Sequence, residues 1–170
     1  EILGRLVGSE MCIRDSNDTW HHGDFAEIKK TRGFIIHGRS DTTLNPGGVR
    51  LGTAEIYSEV EKFKEIKESI VVGQSWDNDV RIILFIVMNT KFLLTEDLLK
   101  KIKIQIRKNA SPRHVPNKVI VVKDIPRTKS GKIVELAVKN IIEGNTIKNK
   151  EALANPKALE QFKNLKELRS

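Results

Sequence analysis

Five of the eleven glycines fall between Arg32 and Thr53, and no other feature constrains the chain as much. At Gly33, Gly38, Gly47, Gly48 and Gly52 the backbone must bend sharply or approach something closely. Within this stretch, Asn45-Pro46-Gly47-Gly48 is strong turn chemistry, because proline fixes φ and glycine supplies positive φ. Just upstream, the apolar residues 34–37 read as a strand. On composition, residues 38–52 fit either a β-hairpin with surface arginines or a loop built to approach a ligand. Arg39 and Arg50 suit the second, since each guanidinium can bridge anionic oxygens with a planar fork.

Downstream, the pattern alternates between helical and strand periods. A helix is expected from Thr53, a residue able to cap it, with Ile56, Val60 and Phe63 on one face. Residues 69–73 and 80–87 are β-rich runs, joined by polar residues 74–79 as a hairpin or a longer loop. Thr95 is placed to cap a second helix with the stripe Leu98, Ile102 and Ile106; Pro112 and Pro116 end it. Residues 118–122 form another β run, followed by a polar loop over 124–131. A third helix carries Val134, Ala137, Val138, Ile141 and Ile142 and stops at Gly144. Residues 152–168 suggest a short helix broken at Pro156. Aromatic residues make up only 5% of the chain, so the core must be aliphatic. The expected fold class is α+β, a small mixed sheet of about three strands with about three packed helices, preceded by a β-hairpin.

Composition excludes several classes. A 39% apolar and 31% charged chain fits a soluble globular protein. No apolar run approaches the roughly 18–20 residues of a membrane helix, and residues 1–16 lack the layout of a signal peptide. The expected location is the cytosol. The single cysteine, Cys12, precludes an internal disulfide. His21 and His22 are adjacent, so in an extended segment they face opposite ways, and no metal site is expected. The net charge of +8 suits either nucleic acid or polyanionic small molecules such as nucleotides and coenzyme A. No aromatic residues interleave with the basic ones to stack bases.

Three stretches carry chemistry. In Trp20-His21-His22-Gly23-Asp24, the aspartate can accept two hydrogen bonds, as a ribose diol requires. The second stretch is the glycine region with Arg39, Asp41 and Arg50. The third, Pro126-Arg127-Thr128-Lys129-Ser130-Gly131-Lys132, ends like a phosphate-binding loop. It is not a Walker A motif: Pro126 stands in place of the first glycine, and Ile133 replaces the magnesium-binding hydroxyl. Lys132 could still reach a carboxylate or an α-phosphate.

In this order and spacing the three stretches resemble the C-terminal part of the adenylate-forming superfamily, the acyl-CoA synthetases, adenylation domains and luciferases. Within it they look like the acetoacetyl-CoA synthetase branch. Further matching runs are Gly52-Thr53-Ala54-Glu55-Ile56-Tyr57, Ser111-Pro112-Arg113-His114-Val115-Pro116, Val134-Glu135-Leu136-Ala137-Val138-Lys139, and Ala154-Asn155-Pro156 followed by Leu159. The resemblance implies a two-step ligase: ATP, as its magnesium complex, and acetoacetate give an acyl-adenylate, then the coenzyme A thiol displaces AMP. It implies that Asp24, Arg39 and Arg50 contact nucleotide and that Asp41 is a hinge. Lys132 acts in the first step, with Arg50 near the phosphates. Gly47 and Gly48 line the thiol tunnel in the second step, and Arg107 meets the coenzyme A nucleotide phosphate. His22 departs from the usual threonine, and Asn45 from the lysine of many relatives.

The same resemblance implies an organisation. Residues 1–16 match nothing and are expected to be a disordered or foreign leader. Residues 17–40 would end a large N-terminal domain, residues 41–144 would form a mobile lid domain, and residues 145–170 a C-terminal extension. The large domain, with its phosphate loop and acyl pocket, would be the lid's partner; without it, negligible turnover is expected. No protein-bound metal, nucleic acid or membrane partner is expected. The alternatives are a fragment of an acetate- or propionate-using synthetase, or a basic nucleic-acid-binding module.

Overall fold

The computed structural model describes residues 24–39, 42–147 and 150–169. The chain divides between Asp41 and Thr42 into two compact units. The described residues of the first form an antiparallel hairpin of β1 (Asp24–Ile28) and β2 (Phe34–Arg39). Its turn closes with Lys29 N–H donating to the Gly33 carbonyl at 2.8 Å, and Arg32 takes a φ of 62°.

The second unit is built on β3 (Ile66–Trp76), β4 (Asp79–Met88) and β5 (Lys118–Val121), in the order β3-β4-β5. β3 and β4 run antiparallel and β4 and β5 parallel, giving the mixed sheet expected from the sequence. The polar stretch between the apolar runs is a tight hairpin. Only Asp77 and Asn78 turn, both at positive φ (49° and 59°), the conformation that matches strand twist in two-residue loops.

Side chains alternate along β4. Ile82, Leu84 and Ile86 enter one aliphatic core with Val71 of β3; Ile83, Phe85 and Val87 enter another with Ile70 and Val72. The first core is covered by α1 (Ala54–Val60) and α2 (Glu96–Asn109), together with Leu44 and Leu51. The second is covered by α3 (Glu135–Ile142) and the C-terminal segment. The sheet is therefore the middle of three layers, which is why its central strand is an unbroken apolar run.

The helices follow their sequence signals with two exceptions. The Thr95 hydroxyl accepts from Leu98 N–H at 3.2 Å, and Leu98, Ile102 and Ile106 are buried. α3 ends where Gly144 takes a φ of 77°. Thr53, however, is buried with near-helical φ and ψ, so its side chain caps nothing; Phe63 packs from beyond the end of α1. The C-terminal segment is not one broken helix but three 3₁₀ turns, Lys150–Ala152, Pro156–Phe162 and Lys166–Leu168. Pro156 starts the middle turn, where its missing N–H costs nothing. From this segment Leu153, Leu159, Phe162 and Leu168 enter the core, and Phe162 meets Phe85 edge to face at 4.9 Å. Among the described residues, no helix is long and apolar enough to cross a membrane, and no three His, Cys, Asp or Glu side chains converge to hold a metal.

Candidate functional site

The glycine loop is anchored at its base and pinned at its tip. Leu44 and Leu51 exchange backbone hydrogen bonds of 3.0 and 2.8 Å and bury their side chains, closing residues 45–50 into a lobe. At the tip, Pro46–Gly48 forms a 3₁₀ turn with Gly47 at a φ of 58° and Gly48 at 75°. Gly47 N–H donates to both carboxylate oxygens of Asp79 at 2.8 and 3.0 Å. Those bonds, after the stronger one from Val80 N–H, hold the Asp79 carboxyl below the usual carboxylate range. A Cβ on Gly48 would meet nothing within 4 Å, so this glycine is required by its backbone conformation and not by crowding within the unit. An open groove of about 600 Å³ lies beside it, lined in part by Asn45, Trp76, Asp77 and Asp79.

The lysine loop is a stapled turn between β5 and α3. Arg127 and Ile133 bridge at its base; Thr128 N–H donates to the Lys132 carbonyl at 2.9 Å, and Lys132 N–H to the Thr128 hydroxyl at 3.0 Å. Gly131 turns the chain at a φ of 82°. Arg127 ties the turn down, donating to the Gly131 carbonyl at 2.8 Å and to Glu68 of β3 at 3.0 Å. The Lys132 side chain is exposed on a held backbone. A single cation there can orient a carboxylate or offset charge on a phosphate.

The two loops belong to opposite sides of the sheet. Leu44 and Leu51 of the glycine loop lie in the α1–α2 core, whereas Ile133 and Val134 beside Lys132 pack on the α3 core. The Tyr57 side chain crosses between the layers. The Tyr57 hydroxyl on α1 accepts from Val71 N–H on the outer strand at 3.0 Å and donates to the Glu135 carboxylate at the start of α3. Burial, then the Glu135 charge, pushes the Tyr57 phenol well above its ordinary range.

The remaining expected residues fall as follows. The hairpin register sets Asp24 opposite Arg39, bringing together two residues distant in sequence. Trp20, His21, His22, Gly23 and Asp41 lie outside the described residues. Arg50 is exposed on the glycine lobe. Arg107 is exposed on α2, which Glu59 of α1 keys in place by accepting from Gln105 at 3.0 Å and Asn109 at 2.8 Å. Arg113, not singled out above, has its Nη1 3.9 Å from where a Gly47 Cβ would stand. Asp79 and Tyr57 were also missed as supports; each acts across a separation (32 and 78 residues) that local spacing does not reveal.

Residues 55–132 match the family described as AMP-binding enzyme C-terminal domain. The chain is similar to the acetoacetyl-coenzyme A synthetase of Rhizobium meliloti, 58% identical over 154 residues, which is 91% of this chain and 24% of that protein. It is 48% identical over 153 residues to the acetoacetyl-CoA synthetase of Xenopus tropicalis, covering 89% of this chain and 23% of that one. Its structure is similar to that of acetoacetyl-CoA synthetase from Streptomyces lividans, with a TM-score of 0.79 and 39% identity over 89% of this chain and 23% of that chain. The chain spans about a quarter of the length of the curated relatives it matches.

Proposed function

We propose that the chain, whose residues 55–132 match the family described as AMP-binding enzyme C-terminal domain, is the lid-bearing part of an AMP-forming acid–thiol ligase acting on acetoacetate. The observation that carries this reading is the placement of an exposed lysine turn and a double-glycine turn on opposite sides of one sheet. A lid that presents one side for adenylation and the other for thioester formation needs that arrangement. The acetoacetate assignment is supported by the names of the relatives at 48–58% identity.

In the first half-reaction, the acetoacetate carboxylate attacks the α-phosphorus of ATP, and pyrophosphate leaves. ATP enters as its magnesium complex. The Lys132 ammonium orients the carboxylate and offsets charge at the α-phosphate, with Arg50 near the phosphates. Asp24 and Arg39, paired in the hairpin's backbone register, hold the nucleotide. In the second half-reaction the coenzyme A thiol attacks the acyl carbonyl and AMP leaves. Gly47 and Gly48 line the path of the thiol, and Arg107 meets the coenzyme A nucleotide phosphate. Asp41 is the hinge between the two arrangements; the division of the chain between Asp41 and Thr42 supports that role. The partner of the lid is a large N-terminal domain, and the reaction runs in the cytosol without nucleic acid.

The test is acid-dependent exchange of labelled pyrophosphate into ATP by the enzyme containing this chain. Acetoacetate is expected to support the fastest exchange. Faster exchange with acetate or propionate overturns the substrate assignment, and no exchange with any acid overturns the ligase reading.

A further inference from the structure

We infer that residues 150–168 are a brace that positions the Lys132 turn, with Asn155 as its key positioning residue. This rests on the reading of Lys132 as a first-step group. The brace lies wholly beyond the residues matched by the family, which end at 132.

The segment before Lys132 is hydrogen-bonded along most of its length to the brace. Lys129 N–H donates to the Ala152 carbonyl at 3.0 Å, and Ala154 N–H to the Arg127 carbonyl at 2.8 Å. The Asn155 amide oxygen accepts from Arg127 N–H at 2.8 Å, while its nitrogen donates to the Asp124 carboxylate at 2.6 Å and the Ile125 carbonyl at 3.0 Å. Gln161 repeats the pattern one step earlier, accepting from Lys123 N–H at 2.7 Å and donating to the Asp124 carbonyl at 2.6 Å. One asparagine thus ties together three points of the approach to the turn.

The brace can bear on the loop because it is itself fixed. Leu153, Leu159, Phe162 and Leu168 are buried, and the Arg81 guanidinium on β4 donates to the Leu168 carbonyl at 2.6 Å. Arg127 transmits the position onward. Its backbone is held by Ala154 and Asn155, while its guanidinium holds the Gly131 carbonyl, one residue from Lys132. Positioning at this level matters because a misplacement of about 1 Å can cost roughly 100-fold in rate.

Asn155→Ala, the milder Gln161→Ala, Lys132→Ala and the parent are compared in the full enzyme containing this chain. Pyrophosphate exchange reads adenylation, and conversion of supplied acetoacetyl-adenylate reads thioester formation. Amide hydrogen exchange at Arg127 and Lys129 reads the brace directly. Asn155→Ala is expected to slow adenylation by about 10- to 100-fold, to leave thioester formation nearly unchanged, and to speed exchange at Arg127 and Lys129 but not in α2. Gln161→Ala should give the same split at smaller size. Full adenylation rates, equal loss in both half-reactions, or undiminished protection at Arg127 and Lys129 overturns the inference. If Lys132→Ala itself loses both halves equally, the first-step role of Lys132 falls, whereas the hydrogen-exchange result still decides whether the brace holds the turn.

Discussion

Removing one oxygen atom, as Tyr57→Phe, tests how the two sides of the sheet are held together. The hydroxyl serves a main-chain donor at the outer edge of β3 and a carboxylate on α3 at once. Val71 is fully buried, so its N–H loses a partner, and Glu135 loses a donor. An unsatisfied buried group costs about 1–3 kcal/mol, and a bond to a charged group contributes about 1.5–3 kcal/mol. A loss near 2 kcal/mol is expected, because Glu135 can turn toward water. With an unfolding entropy of about 2.1 cal/mol/K per residue over roughly 130 residues, that lowers Tm by about 7 °C. The chain has one tyrosine, so the tyrosinate absorbance band follows this group alone. Its midpoint should lie well above the ordinary value of about 10. The sign follows from proton binding. The folded state retains this proton where the unfolded chain has lost it, so the stabilisation is complete below about pH 10 and declines as pH rises beyond it. Tyr57→Phe should remove that alkaline decline. A midpoint at the ordinary value, or a Tm unchanged by the substitution, refutes the account of this contact.

Other outcomes follow from the same structure. Phe162→Ala should cost about 3–5 kcal/mol, since a fully buried ring is removed from beside Phe85; chemical denaturation measures it, and a loss under about 1 kcal/mol would mean the C-terminal segment is not part of the core. The Gly47 amide resonance should follow the Asp79 titration, with a midpoint below the ordinary aspartate range. The hydrogen bonds are present above that midpoint and lost as pH falls through it, and a Gly47 amide insensitive to acid contradicts the pinning of the loop tip.

Much of this was legible in the residues themselves. Thr95 and its apolar stripe marked α2, Gly144 marked the end of α3, and the aliphatic runs marked β3 and β4. Each signal acts within a few positions of its element. The supports were not legible, because their partners are distant or lack a period. Asp79 reaches Gly47 across 32 residues, and Tyr57 reaches Glu135 across 78. Residues 150–168 carry buried side chains on and beside 3₁₀ turns, whose spacing matches neither helix nor strand, so residues 152–168 read as a short helix broken at Pro156. The two candidate loops were visible as glycine and lysine motifs. Their placement on opposite sides of the sheet was not, because it depends on which core each loop base enters.

That placement is the central claim, and one crossed measurement addresses it. In the full enzyme containing this chain, Lys132→Ala and Gly48→Asn are each assayed in both half-reactions. Asparagine tolerates the positive φ of Gly48 while adding a side chain, so the turn survives and the path proposed for the thiol narrows. Lys132→Ala should suppress adenylation and spare thioester formation from supplied adenylate; Gly48→Asn should do the reverse. Both variants impairing the same half-reaction would contradict a lid that works with two sides.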